Sequence, residues 1–251
     1  MCLGGQTAFA QTTSLNSSND SSPAPFSTAQ PPALGGFFRN TLNDFTNLTT
    51  SKETIAWLAL GAFAATSAGP VDPAVTLRVS SSPVGPDLRA GNIVGGKEFQ
   101  FGASIAAYGI GRLTGNQRVS QVAGSVFRAQ LMAQAVTGAI KFTAQRTRPD
   151  GSDQRSFPSG HTSVSFASAT VLQRELGWKV GLPAYAAATY VAAARIEKKK
   201  HYLSDVAMGA AIGILSGRTV TIGRGDKRFA LAPAATSDGA SINFTWVGSD
   251  H

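Results

Sequence analysis

Residues 127–149 read FRAQLMAQAVTGAIKFTAQRTRP, and their spacing decides how the rest of the chain is read. Phe127, Leu131, Gln134, Gly138, Lys141, Gln145 and Arg148 succeed one another at steps of four and three, which lays them along one face of an α-helix. That face begins apolar, turns small or polar at Gln134 and Gly138, and ends in two cations. The pattern predicts a helix over Val119–Arg146, with Lys141 and Arg148 projecting the same way about two turns apart. Pro149 discourages further helix by restricting the residue before it. Two cations converging there would make half of an oxyanion clamp, although a solvated helix C-terminus also favours Lys and Arg.

Outward from this stretch, further helices are expected at Phe101–Leu113, His161–Leu176, Pro183–Arg195 and Leu203–Ser216, joined by short loops. Upstream, Thr54–Gly69 is uncharged and Ala-rich and stops at Pro70, and a looser Pro- and Gly-containing region runs to about Gly96. Phe37, Phe38, Leu42, Phe45 and Leu48 recur at helical spacing and predict a short amphipathic helix. Residues 11–35 are rich in Ser, Thr, Asn, Gln and Pro, a composition unable to offset its own ordering entropy, and read as a flexible leader. After the helices the period falls to two. Thr219–Ile222, Phe229–Leu231 and Ile242–Trp246 read as short strands, with turn chemistry at Gly223–Asp226. The domain organisation expected is therefore 1–35 signal remnant and leader, 36–218 helical domain, and 219–251 short β-like tail.

Composition narrows the class. Of 251 residues, 43% are hydrophobic, enough for a core, and only 14% are charged. The net charge of +8 suits anionic partners: phosphorylated substrates or acidic membrane surfaces. Nucleic acid is not expected as a partner, because the basic residues are scattered apart from Lys198, Lys199 and Lys200 and no nucleic-acid signature accompanies them. Cys2 is the single cysteine, which excludes an intrachain disulfide. Thr7-Ala8-Phe9-Ala10-Gln11 has the small-x-small form of a signal-peptide end cut after Ala10, without a basic region or adequate apolar core before it. A membrane span needs roughly 20 consecutive apolar residues. Thr54–Gly69 falls short, so a soluble or peripheral protein is favoured over an integral one. Gly209, Gly213 and Gly217 form a small-xxx-small series, which serves tight packing in a membrane or in a soluble core.

Two further clusters carry chemistry. Phe157-Pro158-Ser159-Gly160-His161 enters a helix, where backbone N–H groups and the dipole favour an anion, with His161 in the first turn. Ser159 is equally suited to be an ordinary helix cap. Arg195, then His201, then Asp205 stand at spacings of six and four. A helix beginning nearby would let the Asp205 carboxylate orient the His201 ring, the arrangement that makes histidine a directed nucleophile or base; alternatively Ser204 and Asp205 cap that helix and His201 is a surface residue. Two of the three histidines occupy these clusters; the third is His251.

Taken in order, Lys141 with Arg148-Pro149, then Pro158-Ser159-Gly160-His161, then Arg195, His201 and Asp205 resemble the three-part signature of the type-2 phosphatidic-acid-phosphatase superfamily, which also holds bacterial acid phosphatases and vanadium haloperoxidases. The departure is Ala194, where that family usually has Ser. The resemblance implies an all-α fold, a bundle of about five to six helices with the active site at one end, the β-like appendage lying outside it. It implies a metal-independent phosphatase acting on a phosphomonoester or diphosphate, lipid or small and soluble. In that scheme Lys141, Arg148, Arg195, Ser159 and Gly160 bind the phosphoryl oxygens, His201 becomes a phosphohistidine held by Asp205, and His161 protonates the leaving oxygen. No metal or other cofactor is implied; vanadate enters only under the alternative of a haloperoxidase. A second alternative is a non-catalytic phosphate- or membrane-binding protein. A bacterial periplasmic or outer-facing location, soluble or membrane-associated, is expected.

Overall fold

The structure, a computed structural model, describes residues 34–82, 88–221, 227–236 and 239–248. Most of the expected leader, including the signal-like remnant, and the turn Gly223–Asp226 lie outside the described residues.

Among the described residues the chain forms nine α-helices. They are α1 (Leu34–Thr50), α2 (Lys52–Ala68), α3 (Asp72–Ser80), α4 (Arg89–Val94), α5 (Lys97–Leu113), α6 (Gln117–Ala144), α7 (Gly160–Leu176), α8 (Trp178–Glu197) and α9 (Leu203–Val220). A two-stranded antiparallel hairpin follows, β1 (Lys227–Thr236) and β2 (Gly239–Gly248), with Leu231 opposite Phe244. The expected strands at Phe229–Leu231 and Ile242–Trp246 fall within it. Of the strand expected at Thr219–Ile222, Ile222 lies outside the described residues, and Thr219 and Val220 instead complete α9. Their β-branched propensity yields to burial, and the Thr219 and Thr221 hydroxyls donate back to Leu215 O at 2.9 Å and Gly217 O at 2.8 Å.

The region expected to be loose after Pro70 is largely helical. A 3-10 turn at Gly69–Val71 carries α2 directly into α3, because Pro70 and Pro73 occupy first-turn positions that need no N–H donor. The resulting run, Lys52–Ser80, is long and apolar enough to cross a membrane, and only 11% of its most apolar window is buried. It exceeds the Thr54–Gly69 stretch on which the sequence reading judged span length. Near the start of α3, α6 stops at Ala144, short of the expected Arg146, where Gln145 adopts a left-handed conformation (φ 41°). Likewise α8 starts five residues before Pro183, whose missing N–H leaves only the carbonyl of exposed Lys179 without its helical partner.

The core joins α6, α7 and α9 through fully buried Met132, Val171 and Ile212. Glycine decides how closely α7 and α9 approach. A Cβ at Gly209 would sit 2.6 Å from Ser159 O, at Gly213 2.4 Å from Ser163 O, and at Gly217 2.5 Å from Thr170 Cβ. The small-xxx-small series is therefore the seam that fixes α9 against α7, and these two helices carry or adjoin Asp205, His201 and His161.

Candidate active site

Four chain segments meet at one end of the bundle: the end of α6 with Lys141, the loop 145–159, the start of α7 with His161, and the α8–α9 connection with Arg195 and His201. Hydrogen bonds tie them together. Lys141 Nζ donates to Arg155 O at 2.5 Å, Arg148 Nη1 to Lys200 O at 3.4 Å, and the Ser159 N–H to Asp205 O at 2.9 Å.

His201 is 2% exposed. Its Nδ1 lies 2.6 Å from Ser156 O. A carbonyl accepts only, so Nδ1 carries the proton and Nε2 keeps its lone pair. Asp205 Oδ2 stands 3.6 Å from the same nitrogen, beyond a good hydrogen bond. This differs from the expected direct carboxylate–imidazole contact: the Ser156 carbonyl, which no motif singles out, orients the ring. Burial, with Lys141 and Arg195 nearby and partly offset by Asp205, pushes the His201 pKa down to about 4, so the ring is neutral at pH 7.

Asp205, fully buried, holds the segment together. One oxygen accepts from the Tyr202 N–H at 2.8 Å and from the Ser156 hydroxyl; the other accepts from Arg146 Nη1 at 2.7 Å. Burial opposes its ionisation, but these neighbours together with the His201 ring hold its carboxyl below the ordinary carboxylate range. Arg146 continues the chain of contacts: Nη1 reaches Ser204 Oγ at 2.6 Å, Nη2 reaches Asp72 Oδ2 at 2.8 Å, and the guanidinium lies 4.2 Å over the Tyr202 ring. Asp72, 1% exposed, also accepts from the Ser204 N–H at 2.9 Å and from the Ser204 hydroxyl.

The three cations of the pattern share one electrostatic neighbourhood. Burial and then Arg148 depress Lys141 to about 8, and burial and then Arg148 depress Arg195 to about 10. Lys141 and Arg148 do not share a helix face, since α6 ends between them; the loop brings Arg148 round, with Nε on Asp153 Oδ1 at 2.6 Å. Arg195 Nη1 is held by Asn92 Oδ1 at 2.6 Å, while its buried Nε has no partner. His161, in the first turn of α7, lies within Coulombic range of Arg195, His201, Arg148 and Lys141; burial and those charges lower it to about 3.

Ser159 is fully buried, its hydroxyl accepting from Thr162 Oγ1 at 2.9 Å and making no cap to α7. With the Ser159 N–H on Asp205 O, the amides left for an anion are those an α-helix leaves unpaired in its first turn, beginning at Gly160. Of the basic loop, Lys200 pairs with Asp150 at 2.6 Å, while Lys198 and Lys199 are exposed. Sequence reasoning missed Asp72, Asn92 and Ser156; Ser204 was considered only as a helix cap, and Arg146 was placed at the end of the long helix.

Residues 123–229 match the family model described as PAP2 superfamily. A lipid A 1-phosphatase of Porphyromonas gingivalis is 36% identical over 101 residues, which are 38% of this chain and 23% of that protein; the chain thus matches about a quarter of that relative's length. The crystal structure of Aquifex aeolicus LpxE superposes with a TM-score of 0.51 at 20% identity, covering 61% of this chain and 95% of that one. A PAP2 type phosphatidylglycerolphosphate phosphatase from Bacillus subtilis gives 0.47 at 18%, covering 74% and 93%. The motifs, their convergence at one end of an all-α bundle and the family match over the residues that contain them agree: residues 123–229 resemble the PAP2 superfamily.

Proposed function

We propose that the chain is a metal-independent phosphatase that hydrolyses the phosphate ester of a lipid through a phosphohistidine on His201 Nε2. The observation that carries this reading is the Nδ1 contact with Ser156 O, which leaves a neutral ring with its free lone pair directed by the fold. In the first step Nε2 attacks phosphorus in line, the bond from phosphorus to the ester oxygen breaks, and His161 gives that oxygen its proton. In the second, His161 takes a proton from water, the resulting hydroxide attacks phosphorus, and the P–N bond breaks. The proton stays on Nδ1 throughout, donated to the Ser156 carbonyl. A loose phosphoryl transition state spreads charge over three oxygens, so catalysis rests on positioning and positive charge. Lys141, Arg148, Arg195 and the first amides of α7 supply both. Among the described residues no group of three or more His, Cys, Asp or Glu stands together as metal ligands.

The lipid assignment draws on the lipid A 1-phosphatase relative and on large apolar side chains left exposed outside the core, including Ile55, Phe63 and Leu113. The catalytic unit is taken as residues 36–218, membrane-associated and facing the periplasm or cell exterior; a topology reporter fused after residue 221 that reads cytoplasmic would overturn the orientation.

The deciding experiment is hydrolysis of a chromogenic phosphomonoester in excess EDTA by wild type and His201→Ala, with acid-stable and acid-labile phosphoprotein measured after rapid quench. Turnover that survives EDTA, vanishes in the variant and passes through an acid-labile phosphoprotein is expected. Turnover retained by His201→Ala, or abolished by EDTA, would refute the mechanism; halide oxidation on addition of vanadate and peroxide would favour the haloperoxidase alternative.

A further inference from the structure

An apolar cavity of about 460 Å³ lies between α5, α6, α7 and α8, with Val94 beside α4 also on its wall. That size suits a small-molecule or chain-binding pocket, which typically measures roughly 300–1,000 Å³. On α7 and α8 its lining runs in helical stripes that stop about one turn short of the active site. On α7, Ser165, Leu172 and Leu176 follow His161 along one face; on α8, Ala184, Ala188 and Val191 lead to Arg195. Ser165 is four residues from His161, and Val191 four from Arg195, so each cavity wall begins about 6 Å from a site residue.

On the wall Arg118 pairs with Glu175 outside it, and the remaining polar groups pair among themselves with one exception. Gln130 Nε2 donates to Ser168 Oγ at 3.0 Å and to Gln100 O at 3.2 Å, and Ser104 donates to Gln130 Oε1 at 2.9 Å. Ser165 is different: it is 4% exposed and its Oγ has no hydrogen-bond partner. Buried hydroxyls nearly always have one. An unused donor thus stands one helical turn below His161, where the cavity starts.

We infer that this cavity seats one acyl chain of the phosphorylated lipid, with the ester carbonyl of that chain accepting from Ser165 Oγ. The inference rests on the phosphatase reading. The phosphoryl group is anchored by Lys141, Arg148 and Arg195, the carbonyl lies about one turn of α7 further in, and the chain runs along α7 towards Leu176. The rise from Ser165 to Leu176 is about 16 Å, room for a chain of roughly twelve carbons.

The test compares wild type, Ser165→Ala and Ala188→Phe on mono-acyl esters of glycerophosphate, from acetyl to hexadecanoyl, on the matching alkyl ethers, and on p-nitrophenyl phosphate as chain-free reference. In wild type, kcat/KM should rise by up to about fourfold per methylene, the equivalent of about 0.8 kcal/mol, and level off once the cavity is full. Esters should exceed ethers by about fivefold, the worth of one hydrogen bond, and Ser165→Ala should erase that difference. Ala188→Phe should flatten the dependence on chain length. If Ala188→Phe does not fold, Leu172→Ala serves instead and should move the plateau to longer chains. Wild type that cleaves p-nitrophenyl phosphate with no chain-length dependence, an unmoved dependence in both cavity variants, or an ester preference that survives Ser165→Ala overturns the inference and leaves the phosphatase reading standing. Failure to cleave any phosphate ester overturns both.

Discussion

A proposed proton donor whose pKa is lowered to about 3 holds little proton at neutral pH, and this is the position of His161. Burial is the main cause, and the cations Arg195, Arg148 and Lys141 add to it. A phosphate dianion among those cations reverses the local field, so His161 should gain its proton as substrate binds. The expected outcome is an upward shift of the His161 titration by at least about one unit in NMR when inorganic phosphate is added; an unmoved titration would remove His161 from the proton-donor role. The same depression bears on stability. Both histidines titrate below the ordinary 6.5 when folded, so the unfolded chain takes up protons first and stability falls as pH drops from about 6.5 towards 3–4. His161→Gln should lessen that slope in urea titrations at pH 7 and pH 4.5. Lys141, lowered to about 8, loses its charge above that pH, so KM for an anionic ester should rise there while Lys141→Arg removes the rise. Replacing His161 with Ala should cost roughly 10²–10⁴ in kcat, leaving more activity than His201→Ala.

Among the elements, the seam between α7 and α9 sets the distance between the two histidines. Gly213→Ala would place a methyl 2.4 Å from Ser163 O, a backbone atom that cannot turn aside. Forcing the helices apart should cost about 1–3 kcal/mol and lower kcat beyond the loss of folded protein. Gly109→Ala in α5, where a Cβ meets nothing within 4 Å, should instead stabilise by about 0.5–1 kcal/mol. Denaturant midpoints of the two variants, with kcat for the first, check both. The glycine period was legible in the sequence, since spacing needs no partner to be read. Which helix it faced was not, because a four-residue period specifies a close approach without naming the neighbour. The end of α6 was misplaced for a related reason: Gln145 and Arg148 fit the helical face by spacing, but the loop contacts from Arg148 to Asp153 and Lys200 come from outside that local pattern.

Across the whole molecule, apolar side chains remain uncovered on several helices: Phe38 on α1 at 67%, Ile55 and Phe63 on α2 at 73% and 71%, Leu113 on α5 at 89%, and Phe142 beside Lys141 at 81%. With the net charge of +8, this surface should bind anionic phospholipid vesicles, charge giving a salt-sensitive part and the apolar groups a part that survives high salt. Cosedimentation should show that residual binding, and Ile55→Asp with Phe63→Asp should reduce it; vesicle binding wholly abolished by salt would leave charge as the only cause. The side chains that carry the proposed chemistry were legible because their motifs are local in sequence. Their holders were not. Asp72 meets Arg146 across 74 positions, and Asn92 meets Arg195 across 103, and neither lies in a recognisable pattern.

Those two long-range contacts bear on where the protein can be cut. A fragment trimmed to the matched residues 123–229 would keep every residue of the signature and lose both upstream partners, leaving Arg146 and Ser204 facing an emptied buried position and Arg195 without its anchor. Removing one side of an ion pair in which one partner is fully buried leaves its other polar contacts unpaired, a cost that weighs heavily against a domain's small net stability. The stretch by which the chain is recognised is therefore shorter than the stretch that has to fold as one, and α3, for all its distance from the motifs, is inseparable from the candidate site.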